Sequence, residues 1–314
     1  MESFFNAISA VVVLFALMAV GYVLGCLGWM TPSEKKFVSR YVVNVAVPFN
    51  CVVGLLNNFS HDALVSAGKM MASAIIGIIL TMVLSALVAT ALKLPRKRWG
   101  VFTAMAGISN TLFIGLPLTT QLFGEVALPY LMTYYLSSTI FTQSVVVLMI
   151  ERSGDTAPKG LRIGDVVKDV LTKPPIVGVM VGVLLLVLDL RPPELVMQFS
   201  SYIGDTVVPL ALMYCGFIIY EVGLRNLRFL PGIPTMLVIR LAISPMICFG
   251  MCVLMGIEGL ARDVFIVEAA LPVVTQVTVM AGAFGADEEY AATGACLSTL
   301  GCFFTIPILM LLLG

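Results

Sequence analysis

Charge is scarce in this sequence: 18 Lys and Arg and 18 Asp and Glu among 314 residues, 11% in all, with no net excess of either sign. Without a basic surplus there is no electrostatic footprint for nucleic acid. Histidine is almost absent. His61 stands alone in the polar stretch Asn57-Asn58-Phe59-Ser60-His61-Asp62, and no His-x-x-x-His, Gly-x-Ser-x-Gly or His-Glu pair occurs. An enzyme therefore has no nucleophile–base or metal cluster to build on. The seven cysteines all fall in apolar runs and form no Cys-x-x-Cys. That spacing excludes a disulfide framework or zinc site and leaves them as small apolar filler, so no metal or cofactor is expected.

What the chain does contain is apolar sequence, 60% of all residues with a mean hydropathy of +1.04. No soluble domain hides that much in one core, so the expected surroundings are a lipid bilayer. Ten apolar runs are each long enough for about 30 Å of hydrocarbon, at 4–27, 37–56, 69–92, 100–122, 126–150, 174–190, 197–220, 231–256, 263–283 and 290–313. The first lacks the basic start of a signal peptide and is too long for its apolar core, so it reads as a span.

Positive residues fix the expected orientation, because Lys and Arg resist translocation. With the N-terminus external, fourteen fall in cytoplasmic segments and only Lys69, Arg191 and Arg262 outside. Both termini are then external and the central loop 151–173 is cytoplasmic. Dividing ten spans five and five, as 1–150 and 174–314, makes any repeat an inverted one. Leu116-Pro117-Leu118-Thr119-Thr120-Gln121 matches Leu271-Pro272-Val273-Val274-Thr275-Gln276, each in the fourth span of its half and each followed by Phe-Gly. Asn44-Val45-Ala46-Val47-Pro48 matches Asp205-Thr206-Val207-Val208-Pro209 in the second spans.

Proline within a span removes a hydrogen-bond donor and clashes one turn back. Unwound backbone at membrane depth survives only where protein buries it or where it lines a cavity. Such breaks, in inverted-repeat transporters, form the substrate site, and their half-helix N-termini favour an anion. Pro117 and Pro272 are the expected breaks, with Asn110, Thr111, Thr119, Gln121, Thr275 and Gln276 as neighbouring polar groups; prolines that merely kink packed helices are the alternative. Three ionisable residues fall inside spans: Asp205, Arg240 and Glu268. Each is costly there and marks a candidate site. Arg240 and Glu268 reach similar depth and could pair. Alternatively, Arg240 holds a substrate carboxylate, or Glu268 carries a proton. Asp205 reads as a helix cap, and its counterpart is the neutral Asn44, so no paired-carboxylate mechanism is suggested.

Asn110-Thr111-Leu112-Phe113-Ile114-Gly115-Leu116-Pro117-Leu118, with Phe123-Gly124, resembles the fourth-span signature of the auxin efflux carrier family. That family includes the plant PIN-FORMED carriers and bacterial permeases for malate, malonate and related acids. Asn44 to Val53, Ala269-Ala270-Leu271-Pro272 and the ending from Ser298 to Gly314 are similar to the family's as well. The resemblance implies an all-α membrane protein of ten helices in two inverted five-helix repeats, with broken helices four and nine crossing at Pro117 and Pro272. A related fold is that of sodium–bile acid symporters and sodium–proton antiporters. It also implies that Asn110 contacts substrate, and that spans 3–5 and 8–10 move as a transport domain against a scaffold of spans 1, 2, 6 and 7 that forms a homodimer. Residues 151–173 are too short for the long regulatory loop of the plant carriers. The expected function is secondary transport of small organic anions across the plasma membrane. Cation-coupled symport and a non-transporting sensor remain the other readings.

Overall fold

The computed structural model describes residues 2–58, 68–155, 172, 174–223 and 229–313. His61, Arg225, Arg228 and most of the loop 151–173 lie outside them. Among the described residues the chain is helical, with no strand, and the exposed side chains are large and apolar: Leu254 is 80% exposed and Leu312 78%. Hydroxyls gather inside instead. Thr81, Ser85, Thr133, Ser137 and Thr142 each donate to the carbonyl four residues earlier, which satisfies them without water. Apolar outside and polar inside is the pattern of a chain solvated by lipid.

Among the described residues, five continuous helical stretches are long and apolar enough to cross a bilayer: Pro32–Asn57, Gly68–Ala91, Pro129–Ser153, Glu194–Glu221 and Ile233–Leu254. Glu288–Cys302 and Phe304–Leu313 join at a 44° bend as a sixth. Two further expected spans are interrupted, so neither half reaches that length. In the first, α1 (Arg96–Gly107) stops, Ile108 to Asn110 run extended, and the chain resumes as a wide π turn, Thr111–Gly115, leading into α2 (Leu116–Phe123). In the second, α3 (Gly259–Ala270) stops before Leu271 to Val274, and α4 (Gln276–Phe284) follows with Thr275 as its N-cap.

The first interruption corrects the expectation that Pro117 breaks the helix. Pro117 is the second residue of α2, directly after the π turn, in which the Gly115 amide reaches back five residues to the Asn110 carbonyl at 3.0 Å. Helix runs unbroken from Thr111 through Pro117, whose missing amide falls directly after the wider π turn, and the break lies at Ile108 to Asn110, seven to nine residues earlier.

Close helix contacts run through glycine. A side chain at Gly21 would strike the Met213 carbonyl, and one at Gly216 would strike the Met18 carbonyl, so helix Glu2–Cys26 lies backbone to backbone on Val207–Val222. Gly178 packs in the same way on Pro48, and Gly182 on Leu55 and Val52, joining Pro174–Val187 to Val47–Asn58. Small residues at such contacts are what helix packing in lipid requires.

Candidate functional site

The two interruptions touch. Ser109 and Val273 face each other as an isolated antiparallel pair, and the Asn110 amide donates to the Pro272 carbonyl at 2.9 Å. The Val273 amide is taken by Ser298 Oγ at 3.1 Å. Backbone freed by one break is thus partly satisfied by the other, which is how irregular chain survives in a protein interior.

Arg240 holds the C-terminal ends of both upstream half-helices. Fully buried within the π turn Ile239–Ile243, it donates Nη1 to the Ala106 carbonyl at 3.2 Å and Nη2 to the Ala269 carbonyl and to Ser244 Oγ, the latter at 2.7 Å. Ala106 is in the last turn of α1 and Ala269 in the last turn of α3. Each helix C-terminus carries about half a negative charge, so one guanidinium balances the two. The expected Arg240–Glu268 pair does not form, because those carbonyls already supply the counter-charge. Glu268, also fully buried, accepts from Thr119 Oγ1 at 2.7 Å and packs on Gly115, where an added side chain would meet its Oε2 at 2.5 Å. Ion pairs among the described residues join Lys35 to Glu221 and Glu288, Lys97 to Asp155, Arg98 to Asp287 and Arg262 to Asp263.

Among the described residues the N-terminal ends have no such counter-ion. Beside them lies a cavity of about 400 Å³ lined by Asn50, Ser109, Asn110, Thr111, Gln143 and Gln276, by Tyr135, Ser138, Thr139 and Thr142, and by Val47 and Val274. Ten of these twelve residues are polar and none is charged, so the cavity offers hydrogen bonds and positive helix ends. Gln143 Nε2 donates to Gln276 Oε1 at 3.0 Å across it. Asn110, Thr111 and Gln276 are therefore brought together as expected, with the Pro272 carbonyl at their junction.

Other expected members lie elsewhere. Asn44 is exposed and donates to the Arg40 carbonyl at 2.9 Å, since its place on the helix turns it away; Asn50, farther along, faces the cavity. Thr119, Glu268 and Arg240 are packed behind the crossing, outside the lining. Thr275 faces a second, largely apolar cavity with Thr278 and Thr299. Side chains of Pro117 and Gln121 are outside the described ones. Sequence reading missed Tyr135, Ser138, Thr139, Thr142 and Gln143. Their spacing of three, four, seven and eight residues from Tyr135 marks one polar stripe in an apolar span.

A family model described as membrane transport protein matches residues 6–310. The chain belongs to this family. The resemblance to auxin efflux carriers, carried by the residues from Asn110 to Leu118, is thereby borne out. Two relatives are similar along their whole lengths. An uncharacterized transporter of Methanothermobacter thermautotrophicus is 26% identical over 311 residues, 97% of this chain and 98% of its own. An uncharacterized transporter of Methanocaldococcus jannaschii is 21% identical over 302 residues, 95% of this chain and 96% of its own. Membership makes the crossing a feature of a membrane transport protein, and chemistry on bound molecules is not what such a family does.

Proposed function

We propose that this membrane transport protein carries small organic anions, mono- or dicarboxylates, bound in the polar cavity where the two broken helices meet. One observation carries the reading: the C-terminal ends at the crossing share a resident cation, Arg240, while the N-terminal ends open beside neutral hydroxyls and amides. An anion with oxygen acceptors supplies the charge and the acceptors missing there. Asn110, Thr111, Gln143 and Gln276 are the groups that orient it.

The reading includes two inverted five-helix repeats, 1–150 and 174–314, with helices 1, 2, 6 and 7 as scaffold of a homodimer. Both termini face outward and the loop 151–173 inward in the plasma membrane. Glycine packing supports the repeat: Gly21 and Gly25 in the first span lean on the seventh, as Gly178 and Gly182 in the sixth lean on the second. The interruptions support it too, since Ile108 and Leu271 are 163 residues apart and Pro48 and Pro209 are 161. Between the moving and fixed helices an elevator-like slide carries the crossing from one side to the other.

Purified protein in proteoliposomes, challenged with a panel of radiolabelled mono- and dicarboxylates, tests the function. Accumulation of at least one acid above protein-free vesicles is expected. Thermal stabilisation by an acid without uptake would assign a sensor instead.

A further inference from the structure

The second cavity lies across the crossing from the first. Its floor is the start of α4, with Thr275 and Thr278, and its walls are Met18, Leu212, Ile218 and Ile219. Thr275 is 6% exposed and Thr278 1%, yet neither hydroxyl has a hydrogen-bond partner. Three residues apart at a helix start, they share one face with Cβ atoms about 5–6 Å apart. Thr299, on the opposite wall, already donates to the Ala295 carbonyl at 2.8 Å. The backbone beside them is equally unspent. Val277 and Thr278 amides close on the Val274 and Thr275 carbonyls at 3.1 and 3.2 Å, and among the described residues no backbone carbonyl takes the Thr275 or Gln276 amide.

We infer that this second cavity is a binding site for a small inorganic monoanion, with chloride as the abundant candidate, held by the Thr275 and Thr278 hydroxyls at the positive end of α4. The helix N-terminus carries about half a positive charge, which favours an anion over a cation, and the two unpartnered hydroxyls are free to donate to it. No carboxylate lines the cavity to reverse that sign. Its apolar walls keep bulk water out, which strengthens each charge–dipole contact. Measured alike it is the smaller of the two cavities, about 330 against 400 Å³, and it offers three hydroxyls where the polar cavity offers ten polar residues, so it suits a compact anion with few contacts. The site stands whether or not the polar cavity binds organic acids.

The test replaces sodium methanesulfonate, which carries no carboxylate, by sodium chloride at constant ionic strength, with purified protein in detergent, reading the thermal midpoint from tryptophan emission and the 35Cl NMR line width. Chloride is expected to raise the midpoint and to saturate. Thr275→Val with Thr278→Val is expected to weaken apparent chloride affinity at least tenfold, whereas Asn110→Ala, in the other cavity, keeps the wild-type chloride response. Should the double variant fail to fold, Thr278→Ala is expected to lose affinity and Thr278→Ser to restore it. A wild-type midpoint and line width indifferent to chloride would mean that the hydroxyls are satisfied by water, and the proposal fails. Unchanged affinity in the threonine variants that fold overturns it as well.

Discussion

The two interrupted helices meet at one crossing but are stopped by different means. Leu271 to Val274 contains Pro272, whose missing amide ends α3 by itself. Ile108 to Asn110 contains no proline; there the Ile108 backbone turns extended (φ −118°, ψ 129°) and Asn110 docks on the Pro272 carbonyl. One break is thus written locally and the other is held by its partner. Both leave a C-terminal end on Arg240, so the unlike breaks present the same charge pattern. A helix in lipid can be broken wherever a neighbour takes over its hydrogen bonds, and proline is only one way to begin.

The largest test of this shared arrangement is Arg240. Arg240→Met strips donors and counter-charge from both half-helix ends and is expected to cost about 3–5 kcal/mol, seen as a lower thermal midpoint and reduced folded yield. Arg240→Lys is expected to rescue part of the loss, since one ammonium cannot reproduce the planar fork of a guanidinium. Unaltered unfolding of the Arg240→Met variant would show that the two ends are not held in common. Because Arg240 and Glu268 have separate partners, adding Glu268→Gln to Arg240→Met should give losses additive within about 0.5 kcal/mol; a larger coupling would restore the ion pair.

The next effect separates the polar sides of the two breaks. Asn110→Ala is expected to lower organic-acid uptake at least tenfold, about 1.4 kcal/mol, with insertion unchanged. Gln276→Ala is expected to lose less, because Gln143 remains beside it in the cavity. Equal losses would make the breaks functionally equivalent and erase the asymmetry.

The smallest effect belongs to the two prolines. Pro117→Ala, just after the π turn in a helix already under way, is expected to change stability by less than about 1 kcal/mol and to leave uptake near wild type. Pro272→Ala adds an amide where the chain must stay extended and is expected to reduce uptake. A Pro117→Ala variant as impaired as Pro272→Ala would return the first break to the proline.

Lipid-facing character, six of the ten expected spans and Asn110, Thr111 and Gln276 as conspicuous polar residues were legible in the sequence, because hydropathy and isolated polar residues are local properties. Six of the fourteen cytoplasmic charges that orient the chain, Lys159, Arg162, Lys168, Lys173, Arg225 and Arg228, fall outside the described residues. The stripe from Tyr135 to Gln143 was missed, although its helical spacing within an apolar run was the signal that could have found it. Arg240 and Glu268 were visible as costly residues, while their partners were not. Nothing in the order of residues tells a guanidinium to choose the Ala106 and Ala269 carbonyls over a carboxylate.

By itself the sequence determined that this chain lives in lipid, that it belongs with membrane transport proteins, and that one helix breaks at Pro272. Hydrophobic transfer and a missing amide act on each segment independently of the rest. The tertiary structure decided that the other helix breaks at Ile108 to Asn110, that Arg240 serves both C-terminal ends, and that the N-terminal ends open on two cavities of opposite polarity. These features depend on which half-helix ends are brought side by side, and the energy of a charge or an orphaned carbonyl is fixed only once its neighbours are in place.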